Sequence, residues 1–377
     1  MILILGIITV LYTGLLLFLL YGFHQLSTIN SENEEVPKTG FSIIIPFRNE
    51  AENLPRLLQS LRKLNYPEEQ FEIILVNDAS EDTSEAICLN FKKENPELQI
   101  QLLQNEHNSA SPKKDAITAA LKRAKFDHII TTDADCVVPA EWLQLYNSEI
   151  TRTKSDFVAG PVDLLRNNTN RFLQDFQQMD IFSLQIAGMG GFGANLPFMC
   201  NGANLCYSKK AFLEVNGFEG NTEIASGDDV FLLEKFRSKG FRTGFLKSKQ
   251  AVVETNPQPD LRALISQRIR WAAKTSSYKN FFGKFTGLVV LLMNLGLVSA
   301  FFTMLMGSMK TDVFFLFFLV KFNVDFILIF SSARFFEQED ILKSYFWSSF
   351  LYPFFSSSVA ILSLFSGYTW KGRRFKK

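Results

Sequence analysis

The sequence predicts an α/β fold in which a doubly wound sheet is flanked by transmembrane helices. Between residues 41 and 142, short apolar runs alternate with segments whose leucine or alanine residues recur at helical spacing. Continuous apolar strands separated by helices are typical of parallel sheets that are covered on both faces. Long uncharged apolar runs lie before this region and after residue 285. They indicate membrane helices on both sides of the sheet-forming region.

The elements of the predicted sheet follow one another along the chain. Strands are predicted at 41–46, 71–78, 100–103, 128–135 and 157–162. Helices are predicted at 52–64, from 80 onward, at 116–124, from 139 onward, at 228–239 and at 260–274. The apolar stretch 172–193 is compatible with a core helix or a helix on the membrane surface. Ligands of doubly wound sheets bind beyond the carboxyl ends of the strands.

The composition narrows the classes of function. A net charge of +1 over 377 residues provides no basic field, so no nucleic-acid partner is expected. The four cysteines have no metal-ligand spacing, and they indicate reduced thiols in a cytosol-facing domain. Aromatic residues make up 14% of the chain and are dense in the last hundred residues, as expected of a lipid-embedded region.

Two carboxylates end the predicted strand 128–135. Asp133 and Asp135 are separated by one residue, and paired carboxylates at a strand end can bind a hard divalent cation that also holds phosphate oxygens. A chance D-x-D is expected about once in a chain of this length. Polar groups at two further strand ends, Arg48–Glu50 and Asn77–Asp78, therefore decide the interpretation in favour of a site.

The other chemical requirements of a nucleotide-diphosphate site also have candidates. Asp78 can accept a hydrogen bond from a nucleobase. Lys113, Lys114 and Arg270 can supply positive charge to a diphosphate. Asp229 is the candidate general base for a hydroxyl acceptor. An acid pair in the first turn of a helix can also do no more than compensate the helix dipole.

Six motifs in this order resemble family 2 glycosyltransferases. The motifs are P-x-R-N-E at 46–50, V-N-D-A-S-E-D at 76–82, K-x-x-A at 113–116, D-A-D at 133–135, D-D-x-x-L at 228–232 and Q-R-I-R-W at 267–271. The membrane-bound branch, with the synthases of cellulose, hyaluronan and poly-N-acetylglucosamine and ceramide glucosyltransferase, is the most similar. The resemblance covers residues 41–274. It implies an inverting enzyme with a GT-A-type doubly wound mixed sheet.

The resemblance also implies the residues of the donor site. The residues expected to bind the nucleotide sugar are Asp78, Glu50, Lys113, Asp133, Gln267, Arg270 and Trp271. Among them, Asp78 would contact uracil, Arg270 would meet the diphosphate and Trp271 would shape the acceptor entrance. The expected donor is a UDP-sugar.

The metal and catalytic positions follow from the same comparison. Asp135 and Asp133 would bind the divalent cation, with Mg²⁺ and Mn²⁺ equally suited to carboxylate oxygens. Asp229 would be the catalytic base, and Asp228 precedes it in the acid pair. The chain departs from the family pattern at Ala79, where glycine is usual after the base-binding Asp, and at Asp228, where Glu is frequent.

The predicted domain organisation places an enzyme on the membrane. Residues 1–23 would form a transmembrane helix, 24–40 a linker, 41–276 a cytosolic glycosyltransferase domain, 285–367 about three further hydrophobic segments and 368–377 a basic tail. An integral protein of the bacterial inner membrane is expected. Four spans would place the basic tail opposite the cytosolic domain, against the positive-inside rule, so the Ser- and Pro-containing last segment is a candidate re-entrant helix.

Three functions remain open at this point. The first is transfer of one sugar to a lipid or lipid-linked acceptor, which the small number of membrane segments favours over the second, a processive polysaccharide synthase. The third is a non-catalytic membrane scaffold that keeps the fold. Lys321 and Asp325, four residues apart in a hydrophobic segment, are expected to neutralise each other, or else to line a path for the acceptor.

Overall fold

The computed structural model describes residues 1–29, 36–166, 171–224, 226–274, 277–365, 368–370 and 373–375. Its contacts divide the chain into two units. The helical unit contains Met1–Leu26, Arg166–Phe198 and Pro257–Lys377, and the sheet unit contains Ser27–Leu165 and Met199–Asn256. Residues 166–198 and 257–276 of the predicted domain 41–276 therefore group with the helical unit. The predicted linker 24–40 and basic tail 368–377 lie partly outside the described residues.

The secondary structure alternates as expected for an α/β chain. The strands of the sheet unit are β1 Phe41–Phe47, β2 Phe71–Asn77, β3 Ile100–Gln104, β4 His128–Thr131, β5 Cys136–Val137, β6 Phe157–Ala159, β7 Val162–Leu164, β8 Leu205–Ser208, β9 Thr243–Phe245 and β10 Val253–Thr255. The helices of both units are α1 Ile2–Gln25, α2 Leu54–Arg62, α3 Ser84–Glu94, α4 Pro112–Arg123, α5 Trp142–Thr153, α6 Arg171–Gly193, α7 Lys209–Glu214, α8 Asp228–Ser238, α9 Leu261–Ala273, α10 Phe281–Leu305, α11 Thr311–Phe336 and α12 Tyr345–Phe365. A hairpin, β11 Tyr368–Trp370 and β12 Arg373–Phe375, follows α12.

The main sheet is mixed, which confirms the predicted fold class. Its strand order is β3-β2-β1-β4-β8-β6-β9. The first four strands are parallel, whereas β8 runs antiparallel to both β4 and β6. The chain turns to opposite sides of β1 when it forms β2 and β4, so the carboxyl ends around β1 are a topological switch point where ligands bind. A second sheet has the order β5-β10-β7.

The core of the sheet unit follows from the apolar pattern. The central residues of β1 are completely buried because the strand is covered on both faces: Phe41, Ile43, Ile44 and Ile45. The leucines of α2 at 54, 57, 58 and 61 are at most 1% exposed, which confirms the helical spacing. Each such side chain contributes about 1.5–3 kcal/mol through burial.

The strand predicted at 128–135 is shorter than expected. It ends at Thr131, and residues 132–135 form a turn before β5. The turn is closed by the amide of Cys136, which donates to the carbonyl of Asp133 at 3.1 Å. The chain then leaves the main sheet, because β5 pairs with β10 of the second sheet. Asp133 and Asp135 therefore lie in a turn between two sheets rather than on a strand.

The helical unit contains the predicted membrane segments. Within the described residues, four helices are long and apolar enough to cross a membrane: Ile2–Gln25, Phe281–Leu305, Thr311–Phe336 and Glu339–Phe365. Pro353 lies inside the last of them, and α12 continues through it. The stretch predicted at 172–193 forms α6, whose Asp175 and Asp180 are buried within the unit.

Glycines allow α1 and α6 to cross closely. A Cβ atom on Gly22 would lie less than 3.0 Å from the backbone of Gly190, and one on Gly190 equally close to the backbone of Leu19. Gly193 faces the carbonyl of Gly22 in the same way. Small residues at such crossings let helix backbones approach closely, which favours van der Waals packing between the helices.

Lys321 and Asp325 form an ion pair in α11, as predicted, with Lys321 buried and Asp325 partly buried. The Tyr12 hydroxyl of α1 donates to Asp325 Oδ1 at 2.6 Å. The Lys321 ammonium also lies 5.5 Å from the ring centroid of Tyr12 and 5.6 Å from that of Tyr352. The charge pair and its aromatic partners therefore link α1, α11 and α12 inside the helical unit.

Removing one charge of this pair is expected to be more harmful than removing both. Asp325→Asn leaves the Lys321 ammonium buried without its counter-charge, at a cost of about 3–5 kcal/mol. The double variant Lys321→Met/Asp325→Leu removes both charges and is expected to regain most of the loss. Thermal unfolding of the detergent-solubilised protein compares the two, and equal midpoints for both variants would contradict the expectation.

Candidate functional site

The acidic turn after β4 has one open and one enclosed carboxylate. The side chain of Asp133 is 39% exposed, whereas Asp135 is partly buried. Desolvation and the neighbouring charge of Asp133 raise the pKa of Asp135, against the opposing effects of Lys113 and of a hydrogen bond with Thr255. Two carboxylates so close in the chain are a suitable pair of oxygen ligands for a cation.

Lys113, in the first turn of α4, joins this turn to a second acid pair. Its Nζ lies 2.7 Å from Asp133 Oδ1 and 3.1 Å from Asp228 Oδ2. Burial alone would lower the pKa of Lys113, but the carboxylates of Asp133 and Asp228 outweigh it and raise the pKa. The lysine therefore stays charged, and the structure brings together three residues that the sequence placed far apart.

Asp229 is oriented by backbone amides at the start of α8. Its Oδ1 accepts a hydrogen bond from the Val230 amide at 2.7 Å, and its Oδ2 accepts one from the Gly202 amide at 3.2 Å. Gly227 precedes the helix with a φ of +81°, a left-handed conformation that glycine adopts without strain. The carboxylate thus points towards the loop that contains Gly202.

Gly202 is a site residue that the sequence reasoning missed. A Cβ atom there would lie 3.0 Å from Asp228 Oδ2 and 3.5 Å from Lys113 Nζ, so a side chain would crowd the acid pair and the lysine. Its carbonyl accepts a hydrogen bond from Thr131 Oγ1 at 3.0 Å, which ties it to β4. The Asn-Gly dipeptide at 201–202 was the available signal, but it indicates a turn and not the neighbours of that turn.

Asp78 lies at the carboxyl end of β2, on the other side of β1 from the acidic turn. Its Oδ1 accepts a hydrogen bond from Asn105 Nδ2 at 2.7 Å and lies 2.5 Å from His107 Nε2. Arg48 donates to the carbonyls of Asp78 and Ala79 at 2.8 and 2.6 Å. Ala79 has a φ of +53°, which explains why glycine is usual there.

Asn105 and His107 are the partners that the sequence did not reveal. Both follow β3, and they reach Asp78 because β2 and β3 are neighbours in the sheet. Glu50 lies on the other side, after β1, where its carboxylate accepts from Asn53 Nδ2 at 2.7 Å. Its amide donates to Ser84 Oγ at 2.8 Å, so Glu50 also connects α2 with α3.

Lys114 does not behave as the sequence suggested. It is 1% exposed, and its Nζ donates to the carbonyls of Asn221 and Ile224 at 2.7 and 2.8 Å. The ammonium is therefore directed into the protein and away from the carboxylates that hold Lys113. This removes Lys114 from the candidate diphosphate ligands.

The Q-x-x-R-W residues lie in the helical unit. Helix α9 carries Gln267, Arg270 and Trp271. Arg268, between them, forms a buried ion pair with Asp180 of α6 at 2.6 Å, and its guanidinium lies 4.2 Å from the ring centroid of Trp271. Tyr352 donates to the same Asp180 at 3.0 Å. A role for these residues beside the sheet-unit acids stays a prediction.

The donor set fits a cation that keeps other ligands. Among the described residues, no group of three or more His, Cys, Asp or Glu side chains could hold a metal ion. Mg²⁺ commonly binds through one or two carboxylates and retains waters or phosphate oxygens, and Mn²⁺ accepts the same oxygen ligands. Asp133 and Asp135 fit such an ion, whereas they do not form a complete protein cage.

Two family models match the sequence. The model described as glycosyl transferase family 2 matches residues 42–210. The model described as glycosyl transferase family group 2 matches residues 128–336, more than half of the chain. Together they cover the acidic turn, the second acid pair and the Q-x-x-R-W residues.

Curated relatives and a solved structure are similar to the chain. It is 32% identical to a poly-β-1,6-N-acetyl-D-glucosamine synthase of Staphylococcus epidermidis over 116 residues, 31% of this chain and 26% of the relative. It is 28% identical to glycosyltransferase AglE of Haloferax volcanii over 127 residues, 34% of this chain and 40% of the relative. The matches thus span less than half of each relative.

The solved structure is a mannosyltransferase from Pyrobaculum calidifontis in complex with GDP-Man and Mn²⁺. The two folds superpose with a TM-score of 0.57 at 16% identity, over 97% of this chain and 99% of the other. At this level of identity the similarity shows a common fold. It supports the GT-A-type architecture.

Proposed function

The chain belongs to glycosyl transferase family group 2, and from this premise we propose that it transfers a sugar from a UDP-sugar to a hydroxyl group of a lipid or lipid-linked acceptor. The transfer inverts the configuration at the anomeric carbon. The catalytic part works on the cytoplasmic side of a bacterial inner membrane, where nucleotide sugars are present. The four apolar helices hold it there.

One observation carries the proposal. Lys113 bridges Asp133 of the acidic turn and Asp228 of the second acid pair. The donor-side carboxylates and the acceptor-side carboxylates are thereby parts of one cluster in the sheet unit. A transferase needs both groups within reach of one bond that breaks and another that forms.

Several residues of the chain contribute to donor binding, each through a different contact. Asp133 and Asp135 would hold the divalent cation, which when bound supplies positive charge against the diphosphate oxygens. The Lys113 ammonium adds a second positive charge beside Asp133. Asp78, held by Asn105 and His107, accepts a hydrogen bond from the imide of uracil. These contacts stabilise the UDP leaving group as it gains charge.

Asp229 is the residue that takes the proton from the acceptor hydroxyl. The amides of Val230 and Gly202 fix its carboxylate, so the basic oxygen does not have to be oriented at the moment of reaction. Asp228 is held by Lys113 and contributes charge and position rather than proton transfer. Gln267, Arg270 and Trp271 of α9 keep in this proposal the donor-binding roles that the family resemblance implies.

A processive polysaccharide synthase is the second candidate, because one curated relative is named as the synthase of a polymer. The acceptor decides between the two. Membranes that contain the protein are incubated with a labelled donor, and the products are sized. A ladder of long chains would replace the lipid acceptor by a growing polysaccharide, while a single glycolipid supports the first proposal.

The donor class is tested by nucleotide release. Detergent-solubilised protein is incubated with a panel of UDP-, GDP-, CDP- and dTDP-sugars, with and without added lipid extract. We expect release of UDP that depends on the lipid. Release from a purine-linked donor alone would overturn the UDP assignment, and no release from any donor would overturn the enzyme.

Removal of the metal is expected to stop this release. EDTA should lower the rate by about two orders of magnitude, since the diphosphate then lacks its main counter-charge. Adding Mg²⁺ or Mn²⁺ in excess should restore the wild-type protein but not the Asp135→Asn variant, in which a neutral amide replaces the anionic carboxylate. An undiminished rate in EDTA would contradict the proposed role of the acidic turn.

A further inference from the structure

Lys114 is a buried charged residue that the proposed mechanism does not use. Its side chain is 1% exposed and is among the largest fully buried side chains of the described residues. Burying a charged amine is costly unless its donors are satisfied. The burial of Lys114, one position after the site lysine Lys113, therefore requires a structural explanation.

Three contacts of the Lys114 ammonium lie on the stretch of chain that leads to the proposed base. Its Nζ donates to the carbonyls of Asn221 and Ile224, at 2.7 and 2.8 Å. The same ammonium lies 5.1 Å from the ring centroid of Phe231, which belongs to α8. The Lys114 ammonium thus contacts both the loop before α8 and the first turn of that helix.

The loop before α8 has few side-chain hydrogen bonds that hold its described residues in place. Asn221 Oδ1 and Ser226 Oγ are buried, and neither has a hydrogen-bond partner within the described part of the chain. Gly220 and Gly227 both adopt positive φ values, +82° and +81°. Besides the backbone bonds from Asn221 N to Phe218 O and from Ile224 N to Asn221 O, Lys114 supplies two hydrogen bonds from outside the loop, to the carbonyls of Asn221 and Ile224.

The two successive lysines of α4 reach two different sides of the site. Neighbouring residues of an α-helix point about 100° apart. Lys113 accordingly turns to Asp133 and Asp228, while Lys114 turns to the loop and Phe231. The first turn of α4 therefore connects the acidic turn with the start of α8 through two separate contacts.

We propose that Lys114 is a positioning residue that holds the start of α8, and with it the Asp229 carboxylate, in place for the acceptor step. This inference rests on the proposed function, in which Asp229 is the base. Lys114 touches neither nucleotide nor acceptor. Its effect passes through the backbone of residues 221–224 and 226–231, and donor binding belongs to other residues.

If Lys114 has this role, its substitution should lower kcat and leave the affinity for the donor nucleotide unchanged. Lys114→Met keeps the length of the side chain and removes the ammonium. A displacement of about 1 Å at a catalytic group can cost about a hundredfold in rate. We therefore expect kcat to fall about 10- to 100-fold, while the affinity for UDP with Mn²⁺ stays within about twofold of the wild type.

Two matched variants make the test specific. Lys113→Met changes the neighbouring lysine and is expected to weaken UDP binding, since it removes the charge beside Asp133. Lys114→Arg keeps a positive charge with several donors and is expected to recover part of kcat. All variants are measured as full chains in detergent, by titration with UDP and Mn²⁺, by nucleotide release with lipid extract and by thermal unfolding.

The outcomes separate the inference from the function on which it rests. A lowered kcat with unchanged UDP affinity in Lys114→Met, partly restored in Lys114→Arg, supports the inference. An unchanged kcat, or equal losses of kcat and UDP affinity, overturns it. If Lys114→Met does not fold, the kcat and the UDP affinity of Lys114→Arg are compared with those of the wild type in the same way. A wild-type protein that binds UDP but transfers no sugar overturns the proposed function, and the inference with it.

Discussion

The substitution Gly190→Ala is expected to force α1 and α6 apart. The added Cβ would lie less than 3.0 Å from the backbone of Leu19, and neither backbone can yield without moving its helix. Overpacking of this kind costs about 1–3 kcal/mol and more where backbone is the obstacle. We expect a loss of at least about 3 kcal/mol, although alanine is intrinsically the better helix former by about 1 kcal/mol.

Gly14 provides the matched control for this substitution. It lies in α1, the helix that Gly190 of α6 contacts, but a Cβ atom on Gly14 meets nothing within 4 Å. Gly14→Ala is therefore expected to leave the stability unchanged or slightly raised. Thermal unfolding in detergent measures both variants side by side. Equal unfolding midpoints for Gly190→Ala and Gly14→Ala would show that the two helices do not cross at their glycines.

The substitution Asp229→Asn is expected to abolish most of the transfer activity. The amide keeps the size of the carboxylate but cannot accept a proton from a hydroxyl at neutral pH. General bases contribute about 10²- to 10⁴-fold to enzymatic rates, and a loss in that range is expected in kcat. Binding of UDP should be retained, because the donor contacts of the proposal lie at Asp78, Lys113 and the acidic turn.

The control for Asp229→Asn removes a carboxylate elsewhere in the sheet unit. Glu214 lies at the end of α7 and is exposed, so Glu214→Gln should leave both the rate and UDP binding unaltered. The measurement is UDP release in the presence of lipid acceptor, with UDP affinity determined in parallel. Full activity of Asp229→Asn would place the base at another residue.

The strands and helices of the sheet unit were predictable where one local pattern was enough. β1 and β2 appear at the apolar runs after Gly40 and Gln70, and α2 has its leucines on one buried face. The acidic turn was harder. An apolar run before Asp133 and Asp135 suggests a longer strand, but the chain leaves the main sheet there to pair β5 with β10.

The candidate site divides in the same way. Asp78, Lys113, Asp133, Asp135, Asp228 and Asp229 stand in motifs and were proposed as candidates from the sequence. Gly202, Asn105 and His107 were not, because each matters only through a partner that is 27 or more residues away. Sequence spacing carries no information on such contacts.

The adjacent lysines show most clearly what the sequence alone determined and what it left to the fold. Sequence patterns place a positively charged pair at the start of α4, at the carboxyl edge of the sheet, and predict the apolar helices that accompany it. As long cations at the same helix end, Lys113 and Lys114 were both candidates for the diphosphate, and the K-x-x-A resemblance pointed to Lys113. The tertiary structure supplies the physical reason for the difference, because a rotation of about 100° per residue sends one ammonium to the carboxylates and the other to buried carbonyls.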